Sequence, residues 1–183
     1  MFYVEMLGMF KKVTGAVHVH VFHHQLRAVE DNADGNGFNS SVQPYVVAVH
    51  SNSSRYAAEE VFLRSAGNAV DAKFCKGRFV YINAWRNITT DPIKNNHLAV
   101  CDETSMVSPD DNLASDLFMP GARLTQYGLY DHSAAKHRGY YSPKMQMDEM
   151  LLFKQFDSDT ALPGRMTCHT TFVDPTVIPH ALE

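Results

Sequence analysis

The sequence predicts a single α+β domain over residues 1–183, mostly β, in which a sandwich or barrel of short strands is flanked by helices. Three observations lead to this fold class. The length of 183 residues is typical of one domain, and a hydrophobic content of 45% is enough to build a core. Roughly seven short apolar segments end in polar or glycine punctuation, as strands do. Only two segments have helical spacing.

The two helices are predicted near the N-terminus and in the first third of the chain. Residues 1–14 place apolar side chains at helical spacing, and Gly15 follows as a stop signal. Residues 55–66 form the second helical segment, with Ser53 or Ser54 as its N-cap and a glycine just after its end.

The strands are predicted from alternating or continuous apolar residues. The segment AVHVHVF (16–22) alternates, and a polar loop over residues 29–43 separates it from the next apolar run. The remaining strands are predicted, in chain order, at 45–49, 79–85, 98–101, 124–130, 150–156 and 166–172, with 79–85 the strongest.

Composition limits the partners. A net charge of -4 gives no electrostatic reason to expect nucleic acid or an anionic membrane surface, so we expect neither as a partner. No apolar segment is long enough to span a bilayer, and the first residues lack the charge order of a secretory signal. The cysteines, Cys75, Cys101 and Cys168, form neither a zinc pattern nor a disulfide framework. We therefore expect a reducing, cytoplasmic compartment.

The histidine-rich segment HVHVFHH has two competing interpretations. His18 and His20 are two positions apart on the predicted strand, so their side chains point the same way and have the spacing of a metal chelate. No third ligand lies nearby in the sequence, which favours a polar, solvated strand face opposite a valine face.

His50 and His169 differ from the other histidines because each lies at or near the end of an apolar strand. A facial iron site in a double-stranded β-helix uses this layout, with His-x-Asp from an early strand and a second histidine from a late strand. Three protein ligands on one face leave room for a bidentate co-substrate and dioxygen. The alternative is an ordinary histidine at a strand end.

Three longer segments carry a family resemblance. They are GRFVYINAWRNITTDPIKNNHLAVCDETSMVSPDDNLASDLF, HRGYYSPKMQMDEMLLFKQFDSD and GRMTCHTTFVDP. Together with VTGAVHVHVFHHQLR and VVAVHSNSS upstream, they resemble the fungal hydroxylase/desaturase (AsaB-like) family. That family includes gibberellin desaturase and a component of bacterial cephalosporin 7α-methoxylation. The resemblance covers roughly residues 1 to 179, and the combination of segments is specific.

The resemblance implies a jelly-roll (cupin-like, double-stranded β-helix) oxygenase fold. It also implies the cofactors Fe(II) and 2-oxoglutarate and a small-molecule secondary metabolite as substrate. His50 and His169 would be iron ligands, and Asn52 stands at the position of the third ligand.

Four further residues match the family pattern. Trp85 and Tyr140 would line the substrate pocket. Arg86 would bind a carboxylate of the co-substrate in bidentate fashion, with Lys154 as the weaker candidate for that role. For Trp85 the alternative role is core packing, and for Arg86 and Lys154 it is structural ion pairing.

The sequence departs from the family pattern in three ways. Asn52 replaces an aspartate, and a neutral amide is a poorer ligand for a divalent ion. Several dozen residues of the family's N-terminal portion are not in this sequence. The chain also ends soon after His169, where we expect an arginine-bearing strand, and His180 near that place is mostly uncharged at neutral pH.

Three functions are therefore open. The first is an iron- and 2-oxoglutarate-dependent hydroxylase or desaturase of a small natural product. The second is a redox-inactive relative that uses the pocket for an isomerisation or cyclisation. The third is a non-catalytic subunit that pairs with a complete homologue and thereby covers its strand edges. Either a homo-oligomer or a hetero-oligomer is compatible with the sequence.

Overall fold

The structure is a computed structural model, and its described residues are 2–28, 42–66, 76–106, 109–119, 122–130 and 134–177. Two α-helices and nine strands lie in these ranges. They are α1 (Phe2–Thr14), β1 (Leu26–Arg27), β2 (Val42–Gln43), α2 (Arg55–Ala66), β3 (Val80–Arg86), β4 (His97–Cys101), β5 (Asn112–Met119), β6 (Ala122–Leu129), β7 (Gly139–Tyr141), β8 (Met150–Asp157) and β9 (His169–Phe172).

The larger β layer forms around the segment that contains His50. Strand β4 lies between β7 and β9, and β5 forms an antiparallel hairpin with β6. The backbone of His50 bridges Gly128 of β6 and His169 of β9. Neighbouring hydrogen bonds extend this link, from the Ser51 N–H to the Tyr127 carbonyl at 2.8 Å and from the Thr171 N–H to the Val46 carbonyl at 3.0 Å. The segment thus joins the two groups of strands.

The second layer is the antiparallel pair β3 and β8, whose register runs from Val80↔Asp157 to Arg86↔Met150. Aromatic packing joins it to α2, because the Phe62 ring stacks on Phe79 with centroids 4.3 Å apart. At the end of β8, Asp157 is fully buried.

Both predicted helices are confirmed, together with the C-terminal end of α1 and the N-cap of α2, whereas the glycine predicted to follow α2 lies outside the described residues. Gly15 ends α1 with a φ of 70°, a backbone conformation that favours glycine, and its N–H donates to the Lys11 carbonyl at 3.0 Å. Ser54 is the N-cap of α2, since its Oγ accepts the Ala57 N–H at 3.2 Å.

Two strand predictions are wrong. Residues 16–22 and 45–49 are irregular, and Val17 and Val47 are 79% and 73% exposed. Alternation shows that a segment suits a pleated surface, but a strand forms only where a neighbouring backbone pairs with it. Strands β1, β2, β5 and β7 are absent from the prediction, and β2 lies at the end of the predicted loop 29–43. The four predicted strands between 79 and 156 correspond to β3, β4, β6 and β8. The last predicted strand, 166–172, is shortened to β9.

Some predictions fall outside the described residues. These are most of the predicted loop 29–43, Cys75 and His180. None of the helices in the described part of the chain has the length and apolar character needed to span a bilayer.

Candidate metal-binding site

His50 and His169 are direct neighbours in the fold. Their backbones exchange two hydrogen bonds, from the His50 N–H to the His169 carbonyl at 3.0 Å and from the His169 N–H to the His50 carbonyl at 2.8 Å. Their ring centroids lie 4.6 Å apart at an interplanar angle of 44°. A pair this close in an antiparallel bridge presents both imidazoles to the same space.

Backbone carbonyls select which ring nitrogen of each histidine carries the proton. Nδ1 of His50 lies 2.7 Å from the Ala48 carbonyl oxygen, and Nδ1 of His169 lies 3.5 Å from that of Thr167. A carbonyl only accepts, so each Nδ1 is the protonated nitrogen and Nε2 keeps its lone pair. This is the arrangement that orients histidine ligands in metal sites.

Burial keeps both imidazoles neutral. Burial lowers the pKa of His50. It also lowers the pKa of His169 to about 3, and a positive charge on a protonated His50 acts in the same direction. A neutral imidazole is the form that ligates a metal ion. The pair is therefore in its metal-binding protonation state at neutral pH.

Asn52 lies two residues after His50, on the segment that joins the two groups of strands. Its Oδ1 is buried and has no hydrogen-bond partner among the described residues. Buried polar atoms in proteins normally have partners, so an orphaned oxygen on a residue that lines the same cavity as the two imidazoles calls for an explanation. An amide oxygen is an accepted ligand for divalent ions.

Gln155 of β8 forms hydrogen bonds with both segments that carry the predicted ligands. It is fully buried, and its Oε1 accepts the Asn52 backbone N–H at 2.6 Å. Its Nε2 donates to the Thr167 carbonyl at 3.2 Å, the same carbonyl that faces Nδ1 of His169. One side chain thus links both segments that carry the predicted ligands.

A cavity of about 1780 Å³ opens in front of the pair. His50, Asn52 and His169 line it together with apolar side chains such as Phe10 and Phe153. The Phe153 ring packs against His169 with centroids 4.9 Å apart. Apolar walls with a few convergent polar groups are typical of small-molecule sites.

Comparison with known proteins decides the family. A family profile described as "Oxidoreductase/YMDC permease-like domain" matches residues 1–183. The chain belongs to this oxidoreductase family. Its relatives include hydroxylases/desaturases, among them asaB of Aspergillus flavus at 30% identity over 64% of the chain and 56% of the relative. The AsaB-like assignment made from the sequence is confirmed.

Two further relatives match almost the whole chain. The alpha-ketoglutarate-dependent dioxygenase phiK of Fungal sp. is 28% identical over 95% of this chain and 62% of its own length. The hydroxylase/desaturase efuI of Hormonema carpetanum is 25% identical over 93% of this chain and 62% of its own. The chain thus spans about three fifths of the length of these relatives.

A solved structure shows the same fold. The iron and alpha-ketoglutarate-dependent endoperoxidase NvfI superposes with a TM-score of 0.81 at 23% identity, covering 97% of this chain and 62% of the other. The jelly-roll fold predicted for this member of the oxidoreductase family is thereby confirmed.

In this family member, the two predicted substrate residues differ in location. Trp85 lines the cavity, and its Nε1 is buried without a partner among the described residues. Tyr140 of β7 is 56% exposed and is not among the residues that line the cavity. The role of each in substrate binding stays a prediction.

The two predicted co-substrate residues both line the cavity but are engaged by protein groups. Arg86 donates from Nε to the Asn87 carbonyl and from Nη2 to the Met147 carbonyl, each at 3.2 Å. The Lys154 ammonium lies 3.3 Å from the Asp157 carboxylate. Their proposed contacts with a ligand carboxylate also stay predictions.

Sequence reasoning missed Gln155, whose signal was a lone amide in the apolar strand LLFKQF. Its judgement of the histidine-rich segment agrees with the structure in one respect, because His18 and His20 are exposed. Within the described ranges, no group of three or more His, Cys, Asp or Glu side chains is placed to hold a metal. Among the described residues, a third ligand for a metal at the His50–His169 pair would therefore be of another residue type.

Proposed function

We propose that this chain is part of a non-heme Fe(II)- and 2-oxoglutarate-dependent oxygenase that hydroxylates or desaturates a small-molecule secondary metabolite. The observation that carries the proposal is the bridged His50–His169 pair. Asn52 lines the same cavity, and its Oδ1 is buried without a hydrogen-bond partner among the described residues. The names of the relatives, dioxygenases and hydroxylases/desaturases, support the same reaction class.

The residues fit a metal ion of this kind. His50 and His169 would each offer Nε2, and Asn52 would offer Oδ1 in place of the carboxylate that such sites use. Two neutral imidazoles and a neutral amide leave the ion's charge uncompensated by protein. We therefore expect weaker iron binding than in an aspartate-bearing site, and a stronger dependence on an anionic co-substrate.

When bound, iron with 2-oxoglutarate and dioxygen would supply the oxidising chemistry. The residues of the chain itself orient the two histidine ligands and would shield the substrate from water. The carbonyls of Ala48 and Thr167 fix the rings of the two histidines, and Phe153 covers one face of His169. Trp85 and the apolar cavity wall would hold the substrate away from water.

Metal binding tests the proposal most directly. We expect anaerobic titration to detect one Fe(II) per chain, strengthened by 2-oxoglutarate, and succinate to form when dioxygen is admitted. His50→Ala and His169→Ala should each abolish iron binding, whereas the control His137→Ala, at a histidine that does not line the cavity, should not. Unchanged iron binding in both ligand variants would contradict the proposal.

Asn52 favours a second candidate, in which the chain is a redox-inactive relative. Such a relative would either catalyse a non-oxidative isomerisation or cyclisation or act as a non-catalytic subunit of a homo- or hetero-oligomer. This candidate predicts that the wild-type chain binds no iron with or without 2-oxoglutarate, while Asn52→Asp does. The subunit role is distinguished from the catalytic role by measuring the mass of the chain in solution together with a complete homologue. A stable heteromer is expected only if the chain is a subunit.

We also propose a cytoplasmic location and neither nucleic acid nor a membrane as partner. Cys101 ends β4 and Cys168 directly precedes β9. The Cys101 N–H donates to the Cys168 carbonyl at 2.8 Å, and both residues are buried free thiols. Thiols so placed persist in a reducing compartment. Non-reducing mass analysis of protein from oxidised and reduced extracts tests the location.

A further inference from the structure

Arg27 brings a positive charge to the cavity that holds the histidine pair. It ends β1, where parallel pairing with Gln43 of β2 sets its backbone, and it lines the same cavity as His50 and His169. The side chain is only partly exposed.

The guanidinium has unused hydrogen-bonding capacity. It carries several N–H donors in a rigid fork. In the described part of the chain, its side chain makes one hydrogen bond, from Nη1 to the Pro44 carbonyl at 2.7 Å. None of the ion pairs among those residues involves Arg27. Burial lowers the pKa of Arg27, as expected for a charge that has lost water without gaining an anion.

Among the described residues that line the cavity, three of the other four cations already have partners, and the fourth, Lys94, has no guanidinium fork. Arg78 and Lys154 both contact the buried carboxylate of Asp157, at 2.7 and 3.3 Å. Arg86 is engaged by two backbone carbonyls. Arg27 is therefore the lining cation whose fork is best placed to receive a new carboxylate.

The charge of the cavity wall favours an anionic ligand. The chain as a whole has a net charge of -4, but the described residues that line the cavity include five cations, Arg27, Arg78, Arg86, Lys94 and Lys154, and one carboxylate, Asp91. Because Asp157 pairs with Arg78 and Lys154, three of these cations face one carboxylate. Asn52 adds no charge where an aspartate would add one. A ligand with a carboxylate would compensate this excess.

We propose that Arg27 binds a ligand carboxylate through its guanidinium fork inside the His50–His169 cavity. The ligand class rests on the proposed function, because both a short 2-oxo dicarboxylate and an acidic substrate carry such a group. The anion site itself needs no metal. It also differs from the assignment by resemblance, which gave this role to Arg86 and Lys154.

Calorimetric titration of the metal-free chain tests the site independently of iron. Succinate serves as the probe for a dicarboxylate co-substrate and benzoate as the probe for an acidic aromatic substrate. We expect Arg27→Gln to weaken binding of at least one probe by about tenfold to a hundredfold, the loss of one charge-assisted hydrogen-bonded contact. Arg27→Lys keeps the charge without the fork and should lose less. The matched control is Arg55→Gln on the exposed surface of α2.

The outcomes separate the two ligand sources. Loss of succinate binding assigns Arg27 to the co-substrate, and loss of benzoate binding alone assigns it to the substrate. The proposal is overturned if the wild-type chain binds neither probe, if both Arg27 variants bind as wild type, or if Arg55→Gln weakens binding equally. Should Arg27→Gln fail to fold, the comparison of Arg27→Lys with wild type decides. Failure of iron binding would leave these results unaffected.

Discussion

Replacement of Gln155 by methionine removes the hydrogen bonds that link β8 to the two histidine-bearing segments. The Asn52 N–H, now bonded to Gln155 at 2.6 Å, would lose its partner, and the Thr167 carbonyl would lose a donor at 3.2 Å. An unsatisfied buried donor costs about 1–3 kcal/mol and a lost ordinary hydrogen bond about 1 kcal/mol. Methionine has a similar volume, so little cavity cost is added. We expect the free energy of unfolding to fall by about 2–4 kcal/mol.

Urea unfolding of wild type and Gln155→Met measures this loss, and amide hydrogen exchange reports on the Asn52 N–H directly. Gln146→Met is the matched control, because Gln146 is exposed in a turn and its replacement should change stability by less than about 0.5 kcal/mol. A loss below about 1 kcal/mol, with the Asn52 amide still protected from exchange, would refute the reasoning. If the proposed function holds, Gln155→Met should also weaken metal binding by about tenfold or more, as loss of a supporting contact behind a ligand does.

Asn52→Asp should raise the affinity for Fe(II) by at least about tenfold in the absence of 2-oxoglutarate, since it adds a charged oxygen ligand; equal titration curves for the two proteins would count against a metal at this position. Arg78 holds the pKa of the Asp157 carboxyl at about 2, below its usual 3.8. The contribution of the ionised Asp157 to the free energy of unfolding is therefore complete above about pH 4 and is lost as the pH falls towards 2. We expect that contribution to be about 1–2 kcal/mol, reduced because Arg78 is 52% exposed. Acid unfolding of Asp157→Asn should lack this pH-dependent component, and a wild-type pH profile in that variant would contradict the assignment. Burial raises the pKa of the Cys168 thiol to about 12, so the native protein should react with a thiol reagent at Cys168 only at the rate of unfolding; rapid labelling in native buffer would show that the thiol is accessible.

Local sequence patterns were sufficient for the elements that carry their own signals. Helices α1 and α2 have apolar spacing and recognisable caps at Gly15 and Ser54, and these depend on contacts a few residues apart. Strands β3 and β8 have strong apolar character and lie in the second layer. The sequence by itself also determined the family and singled out His50 and His169 among the ten histidines.

Tertiary structure decided which apolar segments become strands. Residues 16–22 alternate more clearly than β5, yet β5 is a strand because β6 pairs with it along its full length, from Asn112↔Leu129 to Met119↔Ala122. Residues 45–49 run between β6 and β9 with only scattered backbone hydrogen bonds. Pairing is a property of two backbones, and a single segment's side chains do not specify it.

The candidate metal-binding site depends on both the sequence and the tertiary structure. The residue types at positions 50, 52 and 169 set the available chemistry, two imidazoles and an amide, and this is readable from the sequence. Only the folded chain brings His50 and His169 into one bridge, orients their rings through backbone carbonyls and fixes the Asn52 backbone through the buried Gln155. Contacts between residues more than a hundred positions apart depend on how the layers pack, because local propensity acts over a few residues and packing acts through space.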